Sequence, residues 1–270
     1  MSNSNPLVSI LINNFNKEKF CERAVKSAIN QDYKKIEIIF YDDCSSDGSV
    51  KIIESLKNKR NNIKIIKNKK RSNIFSLNQL NGIKDSLEAC KGKFVCILDS
   101  DDFFKKNKIR KVVDYFKQNK LAEIVFDHPI FFHSLKKKKE IKNKYFLREI
   151  KWPRFPPTSC ISFKKQTLKR DFNKICYKNM NELWFDFRIS TFYALKKKQF
   201  NLIQENLTYY RQNSENFEKR YIKFINSFWW KRRYQAFLFL KKLDKKKFKK
   251  NIFTIDYLIT LIINKIFLIN

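Results

Sequence analysis

Short apolar runs that stop at polar or acidic loops, each followed by residues at helical spacing, recur along residues 1–130. No other feature restricts the fold as strongly. Residues 7–12 (Leu-Val-Ser-Ile-Leu-Ile) are mostly apolar and β-prone, as a strand buried on both faces requires. A polar stretch follows, after which Phe20, Ala24, Ala28 and Ile29 recur at helical spacing. The second run, 36–41, stops at Asp42-Asp43-Cys44-Ser45-Ser46-Asp47-Gly48-Ser49, and Val50, Ile53 and Leu56 resume the helical period. Residues 63–66 predict a third strand, 77–89 a helix, and Gly92 a turn into the run 94–98, which stops at Asp99-Ser100-Asp101-Asp102. Alternating strands and helices predict an α/β fold around a mainly parallel sheet. Such sheets take their ligands beyond the carboxyl ends of the strands.

Composition removes several function classes. The chain has 3 glycines in 270 residues, where average usage of ~7% would give about 19. A glycine-rich phosphate loop and a three-glycine dinucleotide fingerprint are therefore excluded. Six cysteines (Cys21, Cys44, Cys90, Cys96, Cys160, Cys176) lie scattered, and with His128 and His133 as the two histidines they show no zinc-ligand spacing. They read as reduced core thiols, and the polar residues 1–6 carry no secretory signal, so a cytoplasmic protein is expected.

The charge is unusual: 59 Lys and Arg against 26 Asp and Glu give +33. Residues 1–130 hold 25 basic and 16 acidic residues, net +9, which leaves +24 for residues 131–270. Solvated lysines in a chain rich in Lys, Asn, Ile and Phe account for much of this without any partner. Attraction to anionic lipid is a second reading, carried by the clusters 136–139, Lys231-Arg232-Arg233 and 245–250, at ~1 kcal/mol per basic residue near a surface. Nucleic acid is the disfavoured third, since no RNA- or DNA-binding signature is present and acidic loops repel phosphate. Residues 252–269 are apolar apart from Thr254, Asp256, Thr260, Asn264 and Lys265, with Asp256, Thr260 and Asn264 in one i, i+4, i+8 stripe. That stripe predicts a helix lying against the domain, a second copy or a membrane interface, because an Asp and a Lys would be costly in a spanning segment. Oligomeric state is left open.

Both acidic loops follow predicted strands, where a parallel sheet builds its site. Clustered carboxylates repel unless a cation or hydrogen-bond donor relieves them, and Mg²⁺ or Mn²⁺ is often held by one or two carboxylates together with substrate phosphates. Asp99-x-Asp101 suits that role, because residues i and i+2 of an extended segment turn to the same side. Structural alternatives are that Asp102 caps the following helix and that Ser46 or Asp47 caps the helix after Gly48. Asp42 and Asp43 remain unexplained by capping.

Taken in order, Val8-Ser9-Ile10-Leu11-Ile12-x-x-Phe15-Asn16, Ile38-Ile39-Phe40-Tyr41-Asp42-Asp43-x-Ser45-x-Asp47-Gly48-Ser49, Gly82-Ile83, Ala89-x-x-Gly92-x-Phe94 and Leu98-Asp99-Ser100-Asp101-Asp102 resemble the family 2 glycosyltransferases of GT-A fold. The resemblance covers roughly residues 6–115. It implies a mostly parallel, Rossmann-like sheet flanked by helices over 1–217, with a nucleotide-sugar-binding half (1–115), an acceptor-side half (116–217) and a basic helical C-terminal extension (218–270). It implies an inverting, metal-dependent transfer from a nucleotide-diphosphate sugar, a UDP-sugar being the expected donor, to a glycan or lipid-linked acceptor in surface polysaccharide, lipopolysaccharide or capsule synthesis. The backbone around Ile12, Asn13, Asn14 and Phe15 and one or both of Asp42 and Asp43 would hold the base and ribose, Asp99 and Ser100 would face the nucleotide sugar, and Asp101 with Asp99 the Mn²⁺ or Mg²⁺. The chain departs from the family in having Asn13 where proline is common and Gln79-Leu80 where Arg-Asn is frequent, so Lys70 or Arg71 is a candidate for the diphosphate charge. A basic RNA- or membrane-binding protein and an inactive glycosyltransferase-like module are the alternatives.

An inverting transfer needs a general base within reach of the acceptor hydroxyl. The family draws it from a later acidic segment leading into a helix, which here matches Asn181-Glu182-Leu183-Trp184-Phe185-Asp186-Phe187-Arg188. Glu182 and Asp186 are four apart and on a helix would share a face; Asp186 is preferred, with pairing to Arg188 or Lys178 as its structural alternative. Trp184, Thr158 and Ser159 are the acceptor-side candidates, the last two in a loop before a strand expected at 160–163. Residues 152–157 (Trp-Pro-Arg-Phe-Pro-Pro) read as rigid and extended, and two helices are expected after residue 218.

Overall fold

Alternation along the first strand sorts the core into two layers. The structure, a computed structural model, describes residues 5–134, 137–140, 154–177, 179–212, 226–244 and 255–269. In β1 (Val8–Asn14), Ile10 and Ile12 face one side of the sheet and Leu11 the other, each fully buried. β2 (Ile36–Asp42), β3 (Ile63–Lys67) and β4 (Phe94–Asp99) run parallel to it in the order β3-β2-β1-β4. On one face lie α1 (Glu18–Ile29), whose buried stripe is Cys21, Ala24, Val25 and Ala28, and α4 (Lys108–Gln118), whose Phe116 stacks on Phe94 at 4.7 Å. On the other face, α3 (Phe75–Ala89) sets Leu80, Ile83 and Leu87 against Leu11, Ile39 and Ile97. The short α2 (Ser49–Lys57) buries Ile53. Two glycines mark close approaches rather than turns. A Cβ on Gly82 would stand 2.8 Å from the Tyr41 ring, and one on Gly92 would stand 2.5 Å from the Ser9 nitrogen.

Beyond β4 the sheet changes direction. β8 (Ile161–Lys164) pairs antiparallel with both β4 and β6 (Ile124–Ser134), and β9 (Leu202–Arg211) runs parallel to β6. β5 (Phe103–Phe104) closes the far edge on β9, and β7 (Lys137–Glu140) pairs with β6. Pro129 sits in β6 at a register shift, where a missing donor is tolerated. The strand expected at 160–163 begins at Ile161, after a single 3-10 turn, Thr158–Cys160. Residues 154–157 are neither helix nor strand, while Trp152, Pro153 and the lysines of 245–250 lie outside the described residues.

α5 (Lys165–Ile175) and α6 (Phe185–Thr191) cover the second layer. Both expected C-terminal helices are present, α7 (Ser227–Leu243) and α8 (Ile255–Ile269). Residues 218–225 lie outside the described residues, but α7 packs into the main core: Ala236, Phe237, Phe239, Leu240 and Leu243 join the cluster of Phe185 and Phe187.

One buried cation ties the second half of the sheet together. Lys108, at the first position of α4, is 0% exposed, and its ammonium donates to Asp127 Oδ2 (2.6 Å), the Ser159 carbonyl (2.7 Å) and Thr208 Oγ1 (2.6 Å). Its three donors thus meet three acceptors from β6, the 3-10 turn and β9. Breaking such a pair strands the partner charge in the core. Lys108→Ala is expected to cost about 3–5 kcal/mol in urea unfolding, while the double variant Lys108→Met/Asp127→Leu recovers most of it; equal losses in both would contradict this account.

Candidate active site

The strands of the parallel half end flush, with Asn14 of β1 opposite Asp42 of β2 and Asn13 opposite Asp99 of β4. Both acidic loops therefore leave the sheet on either side of the β1 end. A cleft of about 390 Å³ opens there. Its floor is Asn13, Asn14, Phe15, Tyr41, Asp43 and residues 99–102. Its walls come from Arg71, from Gln79 of α3, from Thr158, from Trp184 and Asp186, from the end of β9, and from Arg232 of α7.

The β2 loop divides into structural and cleft-facing acids. Asp42 accepts from Asn14 Nδ2 at 2.9 Å and from the Ser45 nitrogen at 2.9 Å. Asp47 accepts from the nitrogen of Ser49 (3.0 Å) and of Glu18 (3.0 Å), so it holds the starts of α2 and α1, while the N-cap position of α2 itself is Gly48. Asn16, at φ 49°, accepts from the Ser46 nitrogen and takes the left-handed turn that asparagine tolerates. Asp43 alone of these acids lines the cleft, where Arg71 Nε lies 2.6 Å from it and the Arg71 guanidinium lies 3.4 Å over the Phe15 ring. Beside this pair, both amide atoms of Asn13 are buried without a hydrogen-bond partner among the described residues.

The β4 loop is anchored from below. Ser159 Oγ accepts from the Asp99 nitrogen (3.0 Å) and donates to Asp102 Oδ2 (2.5 Å), and Asp102 Oδ1 accepts from the Arg211 nitrogen (2.8 Å). Asp102 is thus a buried tether to β9 and does not cap α4, whose N-cap is Asn107. Asp99 and Asp101 both line the cleft, and Asp101 carries Lys17 Nζ at 2.7 Å. Burial, reinforced by the negative charges of Asp101 and Asp186, pushes the Asp99 carboxyl up to about 7. Among the described residues no group of three His, Cys, Asp or Glu is disposed to hold a metal. Two oxygen-donating carboxylates whose repulsion a cation relieves nevertheless fit Mg²⁺ or Mn²⁺ when the remaining ligands come from substrate phosphate and water.

Asp186 enters the cleft from the first turn of α6, its Oδ1 accepting from the Phe187 nitrogen at 2.7 Å. Burial pushes its carboxyl up to about 6. Arg188 does not pair with it. Fully buried, Arg188 donates to the carbonyls of Leu183 (2.9 Å), Ile175 (3.0 Å) and Met180, which fixes the turn that delivers Trp184 and Asp186. Gln79, in the place of the family's arginine, accepts from the Phe185 nitrogen (3.2 Å) and so links α3 to the same turn.

Two candidates, Glu182 and Ser159, lie outside the cleft lining, and of the Asp42–Asp43 pair it is Asp43 that reaches it. Glu182 precedes α6, so the spacing of four does not set it beside Asp186; it is buried with its carboxylate 3.6 Å from Lys231, outside the cleft lining. Ile12 is core, and Ser159 and Asp42 are tethers beneath the cleft. Ser100 and Thr158 do line it. Sequence reasoning missed Lys17, just before α1, and also Tyr210, Arg211, Gln212 and Arg232, whose arrival depends on pairing of β9 and docking of α7 and leaves no local motif.

Comparison with known proteins was made on this geometry. The glycosyl transferase family 2 model matches residues 9–176. A GalNAc(5)-diNAcBac-PP-undecaprenol beta-1,3-glucosyltransferase of Campylobacter jejuni is 29% identical over 202 residues, covering 71% of this chain and 63% of its own. The chain spans 66%, 32% and 63% of the lengths of three of the curated relatives it matches. Among solved structures, S. aureus TarS 1-349 in complex with UDP-GlcNAc superposes with a TM-score of 0.67 at 16% identity, over 88% of this chain and 67% of that one. The mannosyltransferase PcManGT from Pyrobaculum calidifontis, in complex with GDP-Man and Mn²⁺, gives 0.56 at 14% identity, over 87% and 64%. The fold is GT-A, as the motif series implied.

The Asp99 shift has a thermodynamic consequence. Its folded-state value lies above the ordinary 3.8, so between pH ~4 and ~7 the native state holds a proton that the unfolded chain releases, and its contribution to stability falls as pH rises through that window. Relative to wild type, metal-free Asp99→Asn is expected to gain stability progressively across the window and to plateau above it. Parallel thermal-unfolding profiles of the two proteins would contradict the shift.

Proposed function

The chain belongs to glycosyl transferase family 2, and from that premise we propose that it transfers a sugar from a nucleotide-diphosphate sugar to a hydroxyl of a glycan or lipid-linked acceptor, with inversion at the anomeric carbon. The observation that carries this reading is the convergence in one cleft of the Asp99-x-Asp101 loop and Asp186. Phe15, Arg71, Asp43, Asn13 and Asn14 take the nucleotide: Arg71 and Phe15 offer a stacking surface, and Asn13 offers an unused donor and acceptor. A UDP-sugar is the proposed donor, supported by the relative bound to UDP-GlcNAc. Asp101 and Asp99 would hold Mn²⁺ or Mg²⁺, and a divalent ion there would supply neutralisation of the departing diphosphate charge.

Asp186 is the proposed base. A carboxylate tuned to about 6 is ionised at neutral pH yet basic enough to accept the acceptor proton as the bond forms. The hydroxyl oxygen attacks the anomeric carbon, its proton passes to Asp186, and the bond to the diphosphate oxygen breaks with its electron pair on the nucleoside diphosphate. Trp184 and Thr158 flank the acceptor side. Glu182, ion-paired outside the cleft, is not assigned to the chemistry. Six unpaired cysteines suit a reducing cytoplasm. No helix among the described residues is long and apolar enough to cross a membrane, and a lipid-linked acceptor would place the reaction at the inner membrane face, in surface polysaccharide, lipopolysaccharide or capsule synthesis.

Calorimetry of UDP and GDP with and without Mn²⁺ tests the donor side: one nucleotide is expected to bind with metal and to lose that dependence in Asp101→Ala, and binding of neither refutes the assignment. For the base, Asp186→Asn is expected to retain nucleotide binding while transfer falls by ~10²–10⁴. In the wild type kcat/KM should climb as pH rises through about 6; an Asn variant with near-normal transfer would remove Asp186 from the role.

A further inference from the structure

The last helix is amphipathic in the opposite sense to a core-packed helix. In α8 the polar residues face inward: Thr260 is 0% and Asn264 6% exposed, and Arg233 of α7 donates to Thr260 Oγ1 (3.2 Å) and pairs with Asp256. Several of its apolar residues face outward, while Tyr257 packs on Phe237. Leu258, Ile262 and Ile266 at i, i+4, i+8, with Ile255 and Ile259 beside them, are 43–77% exposed. Soluble domains seldom present such a continuous apolar row without a partner.

We infer that this face of α8 docks in the interface of an anionic lipid bilayer, with the helix lying in the membrane plane. Its opposite face, with Asp256, Thr260 and Asn264, is seated on the domain, so only one side of the helix is offered and it lies on the bilayer. The exposed Lys265 borders the apolar row, and Lys241 and Lys242 are exposed near the end of the neighbouring α7. Apolar side chains beside lysines match the acyl boundary and the anionic headgroups above it. A second copy would instead bring another +33 against this one and gain no complementary charge. The seat of α8 also bears on the cleft. Arg233 holds α8 while the adjacent Arg232 lines the cleft, so α7 is a wall common to both. The docking itself stands independently of the transferase reading. Only its purpose, holding the cleft beside a lipid-linked acceptor, rests on that reading.

Flotation with vesicles of phosphatidylglycerol and phosphatidylcholine, compared with phosphatidylcholine alone, tests the docking. Wild type is expected to float with the anionic vesicles and weakly with the neutral ones. Ile262→Ser/Ile266→Ser, altered only at exposed positions, should lose anionic-vesicle partitioning by ~100-fold or more while binding nucleotide in calorimetry as wild type does. Absent flotation of wild type, or equal flotation of the double variant, overturns the inference. So does a wild-type dimer in light scattering that the same substitutions convert to monomer, because the face then belongs to a second copy. Failure of nucleotide binding in wild type counts against the transferase reading and leaves the vesicle result to stand by itself.

Discussion

The acidic loop at the centre of this fold depends on a lysine that never reaches solvent. Lys108 joins Asp127 of β6, Thr208 of β9 and the Ser159 carbonyl. Ser159 in turn uses its hydroxyl to hold the Asp99 nitrogen and the Asp102 carboxylate. Burying an ammonium and a carboxylate costs several kcal/mol of solvation for each, which only a fully satisfied geometry offsets. Burial raises the Asp127 carboxyl, with Lys108 and Thr208 opposing it. An apolar cluster would stabilise the same space at least as well, but it would not fix the hydroxyl of Ser159 in one orientation. The directional network sets the height and angle of the carboxylate loop above it.

From that anchor follows a division of labour among the acids. Asp42, Asp47 and Asp102 spend their oxygens on backbone nitrogens and neighbouring side chains, so the loops they occupy are rigid. Asp43, Asp99, Asp101 and Asp186 line the cleft, where Asp43 meets Asn68 and Arg71 and Asp101 meets Lys17. Burial displaces the Asp99 carboxyl upward, and the repulsion from Asp101 and Asp186 adds to it. Lys17 on Asp101 relieves part of it, as any cation seated there would.

Legibility in the sequence followed the range of the interactions involved. The first four strands, their helices and the positions of both acidic loops were readable because periodicity and strand ends are local properties, and Asp43, Asp99, Asp101, Trp184 and Asp186 all reach the cleft. Ile12, Asp42 and Ser159 lie in the same motifs but face the core or the loop interior, a distinction made by side-chain direction that a motif does not encode. Glu182 was misplaced because α6 starts at Phe185, where Arg188 gathers three carbonyls into a turn that helical spacing does not anticipate. Arg211, Gln212 and Arg232 were invisible, since β9 must first pair parallel with β6 and α7 must dock before either approaches the acids.

Gln79 shows how one departure from a family pattern redistributes a task. An arginine at that position of α3 would bring positive charge to the cleft from within the first half of the chain. Here the amide bridges the Phe185 nitrogen and Thr158 Oγ1, joining α3 to the start of α6 and to the 3-10 turn. The basic residues lining the cleft come from four other places: Lys17 before α1, Arg71 after β3, Arg211 at the end of β9 and Arg232 on α7. Two of the four belong to the C-terminal half, beyond the family-matched residues 9–176. The electrostatics of the cleft therefore depend on β9 and α7 as well as on the parallel sheet, which ties the charge of the site to the same long-range packing that seats α8.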